Sequence, residues 1–123
     1  MVLNDGYAQQ ADRLPPPHPS REPAMRAILI QPDTRSLEVI DIQSRDDIAA
    51  RVGYATLESD AVGDAGDHLF FDEECFLRGT AGRFQIDTLI PVSGVGVIVG
   101  LDGDTLRDAT TDVDDLRRRI RYL

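Results

Sequence analysis

The residue types most able to do chemistry are carboxylates, and they cluster. Between Arg51 and Arg78 there is no basic residue, while Glu58, Asp60, Asp64, Asp67, Asp72, Glu73 and Glu74 all fall there. Such a run can present a negative face to a basic partner, or, as a special case, imitate the phosphates of DNA. Its plainer role is that of solvated turns and edge-strand charges that discourage aggregation. Asp102-Gly103-Asp104 with Asp64 and Asp67 supplies hard oxygen donors of the kind calcium and magnesium take, but without the twelve-residue spacing of an EF-hand, so ordinary Asp-Gly turns account for them.

Other constellations are weaker. His68 with Ser59, Asp67 or Asp72 has the residue types of a hydrolase triad, but no Gly-x-Ser-x-Gly turn is present to expose a nucleophile, and a strand-end surface histidine is expected. Cys75 is the single cysteine, which excludes an intrachain disulfide and a multi-cysteine zinc site; it reads as a small buried apolar residue. Gly94-Val95-Gly96 precedes an apolar strand instead of following one into a helix, the reverse of a dinucleotide loop, so close backbone packing or a bulge is expected. Arg117-Arg118-Arg119-Ile120-Arg121 is the one basic cluster; it can touch a phosphate or an acidic partner, and it also compensates a helix dipole and pairs within the chain.

The whole chain bounds these readings. Its 123 residues suit one domain. Aromatic residues make up 6%, so Val, Ile, Leu and Ala must build the core. All 13 basic residues are arginine, which excludes lysine Schiff-base chemistry and the phosphate-loop lysine. The net charge of −9 disfavours nucleic acid and anionic membranes. No apolar run is long enough to span a bilayer and no signal peptide opens the chain, so the expected location is the cytoplasm.

The elements that must position these residues begin at Met25. Residues 1–24, with prolines at 15, 16, 17 and 19, read as a disordered leader, and Met25 is a candidate translation start. Ala27-Ile28-Leu29-Ile30 predicts a strand buried on both faces, Pro32–Ser36 a turn, and Leu37–Ile42 the second arm of a hairpin. Ser44, with Asp47 three residues on, caps a short helix that buries Ile48, Ala49 and Val52 and stops at Gly53. Strands are expected over Thr56–Val62, His68–Phe71, Cys75–Arg78, Arg83–Ile86 and Val95–Val99, with His68–Phe71 and Cys75–Arg78 forming a tight hairpin. A last helix, capped by Thr111 with Asp114, carries Val113, Leu116, Ile120 and Leu123 on its buried side. The fold class is α+β: a small mixed, mainly antiparallel sheet in a β-grasp-like order, with a short middle helix and a C-terminal helix.

Met25–Asp33, Val52-Gly53-Tyr54, Asp72-Glu73-Glu74 and Gly94–Gly100 together make residues 25–123 resemble the domain-of-unknown-function family 3846. These are small proteins of phages, plasmids and bacterial chromosomes. The chain departs from that pattern at Cys75, where the family tends to have glycine, and at Gly79–Arg83, where it tends to have an asparagine-containing loop. The resemblance implies an accessory, mobile-element setting and supplies no activity, cofactor or site. The expectation is a non-enzymatic protein that binds a basic host protein through Asp64, Asp67, Asp72, Glu73 and Glu74. The alternative is a small-ligand binder or enzyme with a backbone-lined pocket near residues 91–100.

Overall fold

A computed structural model describes residues 24–123, so the expected leader lies, except for Ala24, outside the described residues. Strand β1 (Met25–Gln31) turns through Pro32–Arg35 into β2 (Ser36–Ile42), and α1 (Arg45–Val52) follows. Next come β3 (Leu57–Val62), β4 (Asp67–Asp72), a single 3-10 turn (Cys75–Leu77), β5 (Arg83–Ile86) and β6 (Val92–Ser93). The chain closes with β7 (Gly96–Asp102), β8 (Thr105–Arg107), α2 (Val113–Arg119) and β9 (Ile120–Tyr122). The α+β class and the opening order strand–strand–helix are as expected.

The strands divide between two sheets, and every pairing is antiparallel. The larger sheet runs β2-β1-β7-β4-β3, with β8 pairing β7 beyond β1. The smaller runs β6-β5-β9. Successive side chains of a strand point to opposite faces, so the apolar run of β1 feeds two cores. Ala27 and Leu29 face Ile48 and Val52 of α1, whereas Ile28 and Ile30 face Phe84 and Ile86 of the small sheet and Leu116 of α2. The large sheet is thus the middle of three layers, and its central strands are buried on both sides, as Ala27–Ile30 foretold.

Ser44 caps α1, accepting the Asp47 N–H at 3.3 Å, while Asp47 accepts the N–H of Gln43. Gly53 ends the helix at φ 97°. Two other expectations are corrected. Cys75–Arg78 is not a strand, because the Asp72 carboxylate accepts the Glu74 N–H and turns the chain into the 3-10 turn. The partners of β4 are instead β3 and β7. The last helix is shorter and starts later. Thr111 spends its hydroxyl on Asp67, so Asp112 is the cap, accepting from the Asp115 N–H at 3.1 Å. It stops at Arg119 because Ile120–Tyr122 pairs with β5 in the small sheet, leaving Leu123 exposed.

Candidate functional site

The five carboxylates singled out in the sequence have two different fates. Asp64 lies exposed in the β3–β4 turn, and Glu73 and Glu74 lie exposed beyond the other end of β4. Asp67 and Asp72 are 1% and 3% exposed. They bracket the apolar strand β4 and are drawn in with it, which removes both from any partner surface. A buried carboxylate must be hydrogen-bonded to be tolerated, and each of these is.

Asp67 accepts from the backbone N–H groups of Thr110, at 3.0 Å, and Thr111, at 2.7 Å, and from both threonine hydroxyls. Arg107 lies 3.9 Å away. The carboxylate therefore fastens the connector between β8 and α2. On its other side that connector is held by Arg26, whose N–H donates to Asp108 and whose guanidinium donates to the carbonyls of Ala109 and Thr111.

Asp72 binds the hydroxyl of Thr56, the N–H of Glu74 at 3.1 Å and Nε of Arg78 at 2.8 Å. Arg78 also donates to Thr56, pairs with Glu74 at 3.3 Å and lies 4.2 Å from the centre of the Tyr54 ring. The sequence gives Arg78, Thr56 and Tyr54 no site role; a lone arginine ending an acidic run is the one available signal.

Burial is the largest single influence on Asp67 and on Asp72 and pushes both carboxyls up, but the summed hydrogen bonds from Thr111, Thr110, Arg78 and Thr56 outweigh it and hold both below the usual carboxylate value of 3.8. Asp87 is held low as well, chiefly by the hydrogen bond from Arg119. A carboxyl whose folded pKa is depressed contributes stability that is complete above its unfolded pKa and lost as pH falls through the folded one. The urea midpoint should therefore be level from pH 7 to 5 and decline below about pH 4. The gap between wild type and Asp72→Asn should narrow over the same range. A gap that stays constant down to pH 2 would refute this assignment.

The remaining acids form a rim. β3 pairs with β4 alone and leaves its other edge free. Glu58 and Asp60 share one face of it, Asp64 follows in the turn, and Glu73 is tied to its start by donating its N–H to the Thr56 carbonyl. Among the described residues Glu58, Asp60, Asp64 and Glu73 pair with no cation, whereas Glu74 is partly neutralised by Arg78. The arginines of α2 form no ion pair with this rim, although Arg119 lies against Gly63 in the β3–β4 turn. Arg117 pairs with Asp114, Arg118 with Asp115, and Arg119 with Asp87 and Asp115, while Arg121 donates to Gln85.

The expected pocket near residues 91–100 has a counterpart. A cleft of about 210 Å³ lies between the β1–β2 turn at Pro32 and Asp33 and the residues Thr80, Gly94 and Val95. A much narrower slot beside it reaches Cys75, Ser93 and Tyr54. Cys75 is buried and its Sγ accepts the Ser93 N–H at 3.5 Å, while the Ser93 and Thr80 hydroxyls lie 3.0 Å apart. His68 is half-buried and its Nδ1 has no partner; Asp67 points from the opposite face of β4 and Asp72 is taken up by Thr56 and Arg78, so no triad forms among the described residues. Among the described residues no three His, Cys, Asp or Glu side chains converge to hold a metal ion, and no helix is long and apolar enough to cross a membrane.

Fold and site together define a small three-layer α+β protein with an acidic free-edged hairpin. Comparison with family models, curated proteins and solved structures returned no match.

Proposed function

We propose that this chain is an accessory protein of a phage, plasmid or other mobile element that binds a basic host protein along strand β3 and its two flanking turns. The observation that carries this reading is the coincidence of a free sheet edge with unpaired acids. β3 is paired on one side only, and Glu58, Asp60, Asp64 and Glu73 ride on it or on its ends. A free edge offers a row of backbone N–H and C=O groups to an incoming strand, and acids along it repel a second copy of the same edge while attracting a basic segment. The resemblance to family 3846 supports the mobile-element setting.

The test is affinity capture from a nuclease-treated bacterial lysate with the full chain as bait, against a triple variant Glu58→Lys, Asp60→Lys, Glu73→Lys. One basic protein is expected on the wild type, with capture by the variant reduced by at least about tenfold, since like charges facing each other across an interface cost several kcal/mol. Equal capture by the two baits overturns the reading.

Small-ligand binding in the cleft beside Gly94 and Val95 is the second reading, supported by the hydroxyls of Thr80 and Ser93 that meet there. It ranks lower because the cleft is smaller than the roughly 300–1,000 Å³ of typical ligand pockets. Thr80→Phe should fill it and abolish any fragment binding detected by ligand-observed NMR; binding that survives the substitution rejects this site.

A further inference from the structure

The only basic cluster of the sequence borders a second cavity, on a different part of the molecule from the acidic edge. A groove of about 420 Å³ lies where the start of β2 meets α2 and β9, lined by Arg35, Ser36, Leu37, Arg117, Ile120 and Tyr122. Its volume falls within the range that accommodates a small organic ligand. The lining divides by chemistry: Leu37 and Ile120 supply apolar surface, Arg35 and Arg117 supply charge, and Ser36 and Tyr122 supply hydroxyls.

The charge there is only partly cancelled. Arg35 makes no ion pair among the described residues, and Arg117 is engaged through Nη1 by the exposed Asp114 at 2.6 Å, which leaves the rest of its fork free. Both guanidinium groups act on the Tyr122 hydroxyl. Burial, the larger influence, nonetheless raises that phenol above its ordinary pKa of 10, so at neutral pH it is a hydrogen-bond donor. Every charged group lining the groove is therefore a cation, on a chain of net charge −9.

Local conformation adds an independent pointer. Arg35 sits at φ 53°, the left-handed region in which glycine or asparagine is the favoured occupant of a turn. An arginine held there runs against local preference, the kind of strain that collects at functional positions.

We infer that this groove binds a small organic phosphate whose apolar body rests on Leu37 and Ile120 while Arg35, Arg117 and the Tyr122 hydroxyl hold the phosphate oxygens. A phosphate fits better than a carboxylate because donors reach it from three elements, the β1–β2 turn, α2 and β9, and it offers more acceptor oxygens and more charge to share among them.

The test is titration of the full chain by isothermal calorimetry and two-dimensional NMR with phenyl phosphate, inorganic phosphate and benzoate. Saturable binding is expected in the order phenyl phosphate tighter than phosphate, with benzoate weakest, and with shifts confined to residues around 35–37 and 117–122. Arg117→Gln should weaken phenyl phosphate on the order of tenfold, the loss of one charge-assisted contact. Arg35→Gly should weaken it by a similar factor while Tm stays level or rises, because glycine relieves the left-handed turn. Asp114→Asn should tighten binding by releasing Arg117, a gain that no unfolded variant can imitate. No saturable binding by wild type, benzoate equal to phenyl phosphate, or unchanged affinity in both arginine variants would each overturn the inference.

Discussion

Asp67→Ala should cost this protein about 2–4 kcal/mol of stability, the size expected when a buried acceptor is deleted and its donors are stranded. The reason lies in what cannot be removed along with the carboxylate. Two of its donors are side chains, the hydroxyls of Thr110 and Thr111, and could be deleted without penalty to the backbone. The other two are the backbone N–H groups of the same residues, and these stay behind. Thr111→Val should therefore cost only about 1 kcal/mol, an ordinary hydrogen bond. Asp67→Asn keeps the shape but turns an amide toward N–H groups that need an acceptor, so it should fall between the two. Urea unfolding with unchanged slope and a lowered midpoint is the measurement. A cost for Asp67→Ala within about 0.5 kcal/mol of zero would mean that water replaces the carboxylate and that the connector is held by Arg26 alone.

The consequence reaches beyond stability. The connector clasped by Asp67 on one side and Arg26 on the other sets where α2 begins, and α2 carries Arg117 over the groove and passes directly into β9 with Tyr122. Loosening Asp67 should therefore weaken phosphate binding in the groove without any change to a residue that lines it. The acidic edge at β3 should be less affected at its Glu73 end, which is held by the separate Thr56–Asp72–Arg78 network.

These roles explain what could and could not be read from the sequence. Local signals were legible: the apolar run Ala27–Ile30, the Ser44 cap, the Gly53 stop and the strand beginning near Val95 all depend on neighbours a few residues away. Asp67 and Asp72 look like any other members of an acidic run, and their burial depends on partners elsewhere. For Asp67 those are Thr110 and Thr111, more than forty positions on. One local hint was present, since Asp72 directly follows Leu69-Phe70-Phe71 and Asp67 precedes it by one residue, and residues so near an apolar strand are carried into the interior with it. The late start of α2 follows from the same long-range bond, which occupies Thr111. Its early stop follows from β5, a four-residue strand too short to announce a second sheet. Arg35 and Tyr122 carry no sequence signal because a groove assembled from a hairpin turn, α2 and β9 has no spacing to find.

The second large effect concerns how the two sheets meet. Phe84 of the small sheet is fully buried, and its ring lies against Gly96 of the central strand β7. A Cβ added at Gly96 would fall 2.8 Å from the Phe84 ring and 2.9 Å from a methyl of Leu69, closer than real side chains approach. This close packing is what the glycines before Val97 implied. Phe84→Ala should cost about 3–5 kcal/mol, the loss of a large buried ring and the cavity it leaves. Gly96→Ala should cost about 1–3 kcal/mol, from overpacking. Combined, they should cost less than their sum by at least about 0.5 kcal/mol, because removing the ring opens the space the new methyl needs. Leu69 remains in place, so the relief should be partial. If the two costs add to within about 0.3 kcal/mol, the contact between ring and strand is not the origin of the requirement for glycine. The small sheet would then rest on the large one through Ile86, Val92 and Ile120 instead.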